Sequence, residues 1–124
     1  MNKEILKKLS YGMYLVSSKE NNLLVGCIAN SIIQINNDTI AISLNNENYT
    51  TKTILETKKF AINILPTNTS IDLIKTFGFA KSNDINKYAN ISYQLIDEIP
   101  IINNTCGYII CTFNNQIKTA THTI

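Results

Sequence analysis

The chain has 124 residues, among them 11 lysines, no arginine and nine acidic residues, for a net charge of +2. That length fits one domain with a core that needs no staples, and 44% hydrophobic against 16% charged residues excludes a disordered chain. The lysines are scattered, densest at Lys7-Lys8 and Lys58-Lys59, so no basic patch for nucleic acid forms, and no apolar run nears the ~20 residues of a membrane span.

The first ten residues, MNKEILKKLS, place Ile5, Leu6 and Leu9 on one face of a short predicted helix. They lack the apolar stretch and cleavage site of a signal peptide. β-Branched runs follow at Tyr11–Ser17, Leu23–Ile35 and Thr39–Leu44, separated by Asn-Asn and Asn-Asn-Asp turns, and read as an antiparallel meander. Gly26 inside the long second run predicts a bulge or a close backbone approach. Asn48–Thr57 reads as a helix capped by Asn48, with Ile54 and Leu55 as its apolar face. Phe60–Leu65 is a further strand. Thr69–Phe77 is a second helix, capped by Thr69 or Ser70, with Ile71, Ile74 and Phe77 on one face. Beyond the polar stretch Ala80–Lys87, strands are predicted at Ile91–Ile96, Gly107–Phe113 and Ile117–Ile124, the last two joined by a hairpin at Asn114-Asn115.

Six or seven short strands with two or three short helices argue for a mainly β, closed or nearly closed antiparallel barrel forming a single domain over 1–124. The last strand runs into the C-terminus in mid-pattern, which suggests a C-terminally truncated chain. Cys27, Cys106 and Cys111 are odd in number and have no metal-type spacing, so they read as small buried hydrophobes in a protein of the reducing cytoplasm, with no metal site. His122 is the only histidine. No GxSxG elbow and no GxGxxG fingerprint is present.

Three stretches have the residue types for ligand chemistry. Gly26-Cys27-Ile28-Ala29-Asn30-Ser31 is small enough for a flat ring to lie against its backbone, and it equally suits a bulged core strand. Ser43-Leu44-Asn45-Asn46-Glu47-Asn48-Tyr49-Thr50-Thr51 leads from a strand into a helix N-terminus, where phosphate is readily bound and where capping alone is also served. Lys81-Ser82-Asn83-Asp84-Ile85-Asn86-Lys87 is either solvated surface or a source of positive charge for a phosphate.

In this order, GCIANS, then SLNNENYTTKTILETKKFAINIL, then FGFAKSNDINKY and a late THTI, the chain resembles the flavin reductase-like family, whose fold is the FMN-binding split barrel. The resemblance spans Leu9 to Ile124 and is most specific over Ile42–Leu65. More narrowly, it resembles the flavin reductase domain of high-molecular-weight rubredoxins, and relatives continue beyond this chain by a strand and helix. It implies FMN as cofactor, with Cys27, Ala29, Asn30 and Ser31 along the isoalloxazine ring. Ser43, Asn45, Tyr49, Thr50 and Thr51 would run from ribityl chain to phosphate, Lys87 would contact phosphate or flavin, and His122 would stand where flavin and nicotinamide meet. It further implies a homodimer, NAD(P)H as electron donor, and free flavin, a rubredoxin or a flavodiiron protein as acceptor. The activity implied is that of an NAD(P)H:flavin oxidoreductase. The alternatives are an FMN-carrying electron-transfer module with little NAD(P)H activity and a β-barrel interaction domain without cofactor.

Overall fold

The computed structural model describes residue 4 and residues 12–79 and 86–124. The expected opening helix and most of the 80–87 loop lie outside them. The described elements run β1 (Tyr14–Glu20), β2 (Leu23–Ala29), β3 (Ile32–Gln34), β4 (Ile40–Ile42), β5 (Leu44–Asn45), α1 (Tyr49–Thr57), β6 (Lys59–Ile64), α2 (Ile71–Phe79), β7 (Tyr93–Ile96), β8 (Ile99–Ile102), β9 (Gly107–Thr112) and β10 (His122–Thr123).

One four-stranded sheet, ordered β2-β1-β6-β9, is accompanied by the two-stranded pairs β3-β4, β5-β10 and β7-β8. Every pairing is antiparallel. The architecture is therefore mainly β, with two short helices among the described residues. It is split into separate sheets where the sequence pattern also allowed a closed barrel.

Period-2 alternation sorts the side chains of the large sheet. Val16, Cys27, Ala29, Phe60 and Ile62 pack on one face with Leu44 and with Ile54 of α1. Leu15 packs on the other with Leu65, Phe77 of α2, Tyr88 and Ile102. Ala61 meets Ile99 and Ile101 of the β7-β8 hairpin. Strand β1 is thus covered on both faces, which is why residues 15–18 are all buried although two of them are serines. Ser17 Oγ donates to Pro100 O (2.7 Å) and Ser18 Oγ to Lys59 O (2.7 Å), so neither hydroxyl is left without a partner.

Helix α1 is rich in threonine, a poor helix former, and its caps and packing compensate. Asn48 takes the extended N-cap conformation and its side chain accepts the Thr50 N–H at 3.0 Å. Lys58 closes the helix in the left-handed region (φ 63°), its N–H reaching Ile54 O at 2.8 Å. Helix α2 is capped by Ser70, whose Oγ accepts from the N–H groups of Asp72 (3.1 Å) and Leu73 (3.4 Å).

Four expectations need correcting. The run Leu23–Ile35 is two strands, because the chain leaves the sheet at Asn30-Ser31 and Ser31 O accepts from Ser43 N–H (3.1 Å). Of the two expectations for Gly26 the close approach holds and only the bulge fails, since the residue sits in an unbroken register opposite Ser17. Its bare Cα instead admits the Tyr88 hydroxyl, which would lie 2.6 Å from an added Cβ. Strand β8 was not foreseen: Asp97 (φ 50°) and Glu98 (φ 68°) make the β7-β8 turn in a conformation that usually calls for Asn-Gly. Finally, Asn114-Asn115 forms no hairpin. Strand β9 is the outer strand beyond β6, and residues 117–124 fold on themselves, with Ile117 and Ile124 exchanging backbone bonds at 2.9 and 2.8 Å. The final run is therefore a tight turn whose return strand, β10, docks on β5.

Candidate functional site

A groove of about 400 Å³ opens where the end of β2, strand β5, the start of α1, the last turn of α2 and β10 converge. Its size lies within the range of small-molecule sites, roughly 300–1,000 Å³. It is lined by Cys27, Ile28, Ala29 and Asn30 at the end of β2 and by Ser43, Leu44 and Asn45 around β5. Glu47, Asn48 and Tyr49 close one end, and Gly78 and His122 complete the lining.

Seven of the residues singled out in the sequence come together here: Cys27, Ala29, Asn30, Ser43, Asn45, Tyr49 and His122. The β5 part of the lining is held by a dense set of local bonds. Asn45 Oδ1 accepts the Glu47 N–H (2.8 Å), and Thr51 Oγ1 donates to Asn45 O (2.8 Å). The 117–124 turn clamps the same segment: Asn46 N–H donates to Thr121 O (2.8 Å), and Thr123 Oγ1 donates to Asn46 Oδ1 (2.6 Å). The β5-β10 register sets His122 opposite Asn45. The imidazole Nδ1 lies 2.9 Å from Thr121 Oγ1.

Four singled-out residues stand elsewhere. Ser31 lies past the end of β2, its hydroxyl 3.5 Å from Asn30 Oδ1. Thr51 turns to the opposite side of α1, toward a second concavity. Thr50 is fully buried, and its Oγ1 has no hydrogen-bond partner. The Cys27 thiol beside it is only a weak polar neighbour. Lys87 is also buried, its ammonium on Gly26 O (2.8 Å) and Phe77 O (3.4 Å), behind the β2 wall.

Burial pushes the Cys27 thiol up to about 11, against smaller opposing effects of Thr50, Lys87 and Asn48. It is a neutral thiol at physiological pH, a small wall residue and no nucleophile. Burial likewise pushes Cys111 up to about 11. Among the described residues no group of three His, Cys, Asp or Glu is placed to hold a metal ion, and no helix is long and apolar enough to cross a membrane.

Five lining residues carried no cofactor assignment. Ile28, Leu44, Glu47 and Asn48 lie inside stretches already singled out. Gly78 lies in the FGFAKSNDINKY stretch of the family resemblance, where no role was attached to it, and is otherwise a glycine in the last turn of an apolar-faced helix.

The pattern described as a flavin reductase like domain matches residues 6–124. The chain belongs to the flavin reductase-like family. The high molecular weight rubredoxin of Moorella thermoacetica is 32% identical over 128 residues, covering 100% of this chain and 56% of that one. The ferric-chelate reductase (NAD(P)H) of Archaeoglobus fulgidus is 35% identical over 96 residues, covering 76% of this chain and 57% of that one. The chain thus spans little more than half the length of these two relatives. Flavin reductase HpaC, solved in complex with NADP+, superposes with a TM-score of 0.81 over 98% of this chain and 76% of its own. At 18% identity that likeness bears on the fold, which is the split barrel of flavin reductases.

Proposed function

We propose that the groove binds FMN and that the chain is an NAD(P)H:flavin oxidoreductase that passes electrons through FMN to an acceptor. The observation that carries this reading is the meeting of β2's small-residue wall with the N-terminus of α1 in one groove. Cys27, Ala29, Ser43 and Gly78 leave room for a flat ring. The Asn30 and Asn45 amides offer donors and acceptors to its polar edge. The first-turn N–H groups of α1 other than that of Thr50, which Asn48 caps, suit a phosphate, since they have no intrahelical acceptor. Glu47 is the one formally charged side chain among the described lining residues, so the phosphate would rest on backbone N–H groups and not on a basic side chain. When bound, FMN supplies the hydride and electron chemistry. The β2 residues would cover one side of the ring, and His122, also in the lining, would stand near an approaching donor.

NAD(P)H as donor is supported by the name of the Archaeoglobus relative. A rubredoxin-type acceptor is supported by the Moorella one. The test is the visible spectrum of protein mixed with FMN, followed by anaerobic stopped-flow reduction with NADH and NADPH. We expect bound FMN to bleach rapidly with at least one of them. Bleaching only by a reduced partner protein would make the chain an electron carrier, and no shift of the FMN spectrum would remove the flavin reading.

The reading includes a homodimer. An apolar concavity of about 990 Å³ lies between the β3-β4 hairpin, the open face of β6 and β9, and the 117–124 turn. Ile35, Ile109, Ile117 and Ile124 line it and are exposed. A second copy of the chain would remove these side chains from water. Sedimentation at micromolar concentration should give a dimer; a lone monomer would sink this part of the proposal.

A further inference from the structure

Lys87 carries a full charge into the interior. Its residue is 3% exposed, and its described contacts are all neutral: Gly26 O at 2.8 Å, Phe77 O at 3.4 Å and the Phe77 ring at 5.8 Å. Those two carbonyls have a common property. The first belongs to the peptide unit joining Gly26 to Cys27, the second to the unit joining Phe77 to Gly78. Cys27 and Gly78 are lining residues on two different walls of the groove. One ammonium therefore ties the β2 wall to the α2 wall from behind. It also sits at the C-terminal end of α2, where free carbonyls and the helix dipole favour a cation. Next door, Tyr88 Oη donates to Val25 O at 2.9 Å, fixing the same stretch of β2.

A charge held this way acts beyond positioning. No described carboxylate neutralises it, and little water screens it, so its field reaches across Cys27 into the groove. Burial lowers the Lys87 pKa, against a smaller opposing pull that only an ionised Cys27 would exert. A flavin ring gains electron density on reduction. From this geometry we infer that Lys87 is a buried positioning residue whose charge makes the groove prefer reduced over oxidised flavin. The inference rests on the flavin reading above and adds to it a residue that touches neither ring nor phosphate.

The experiment compares dissociation constants for oxidised FMN and for dithionite-reduced FMN under argon. The parent should bind the reduced form more tightly. Lys87→Met, which keeps the apolar stem, should lose that preference tenfold or more. For a two-electron couple this is a bound-flavin potential about 30 mV more negative. Lys87→Arg, which keeps the charge, should hold the preference within threefold. A Lys87→Met protein that weakens both forms equally would reduce Lys87 to a structural clamp and overturn the inference while leaving FMN binding intact. A parent that binds oxidised FMN more tightly than reduced would overturn it without any variant. A parent that binds neither form would fail the flavin reading itself, and the inference with it.

Discussion

Replacing Asn63 by leucine should cost about 3 kcal/mol of stability, although leucine has the same branched outline. Asn63 is fully buried at the centre of the large sheet. Its Nδ2 donates to Leu15 O and to Ser17 Oγ, each at 3.0 Å, and its Oδ1 accepts the Ile102 N–H at 3.0 Å. Ser17 Oγ passes the chain on to Pro100 O. One amide thus joins β1, β6 and the β8 strand of the hairpin that covers them. Each bond contributes about 0.5–1.5 kcal/mol net, and an orphaned buried group costs about 1–3 kcal/mol more. Networks of this kind lose more than their separate bonds suggest. For a domain of this length the change corresponds to a fall in Tm of roughly 10 °C. Thermal unfolding followed by circular dichroism reads it, with Ser17→Ala as the milder control at about 1 kcal/mol. A loss below about 1 kcal/mol for Asn63→Leu would mean that the network is dispensable and the hairpin is held by Ile99 and Ile101 alone.

Such a centre is hard to read from sequence. Asn63 occupies an ordinary position in the FAIN stretch, and 18 asparagines in the chain blur the signal of any one. What was legible depended on local rules. The N-cap of α1 at Asn48, the serine alternative for α2 and the strands β6 and β9 follow from capping and period-2 patterning. Strand β8 was hidden because its turn uses two acidic residues in left-handed geometry, a turn that tertiary packing imposes against local preference. Helix α1 shows the same division. Thr50 and Ile54 are four residues apart and so share one helix face. Ile54 faces the core, and Thr50 follows it inward. Tyr49, one position back, turns to the groove. Helical spacing alone carries that information once the buried face is known. For Lys87 no such rule exists. Its place depends on where β2 and α2 bring two carbonyls together, and a polar loop sequence gives no sign of it.

The second large effect is expected at Gly78, where the fold and the groove can be separated. A bulky residue at Ala29 would test the ring's position poorly, because Ala29 is part of the core with Val16, Leu44 and Ile54. Gly78 is exposed on the last turn of α2 and lines the groove opposite Ile28. A Cβ added there would meet only Ile28, at 3.8 and 4.0 Å, which is ordinary contact. Gly78→Ala should therefore leave FMN affinity within about threefold of the parent. Gly78→Leu extends three further carbons from the same point into space that the ring needs. Forcing extra carbons into a filled contact costs about 1–3 kcal/mol, which is about fivefold to 150-fold in Kd. Stability moves the other way, since glycine is the poorer helix residue by about 0.5–1 kcal/mol. The expected result is a protein that melts at or above the parent temperature and binds FMN poorly, read by thermal unfolding and by fluorescence titration of the flavin. An overpacked core would lower both together, so the opposite signs identify the groove as the place where the leucine acts. If Gly78→Leu binds FMN as tightly as the parent, the ring does not border the last turn of α2.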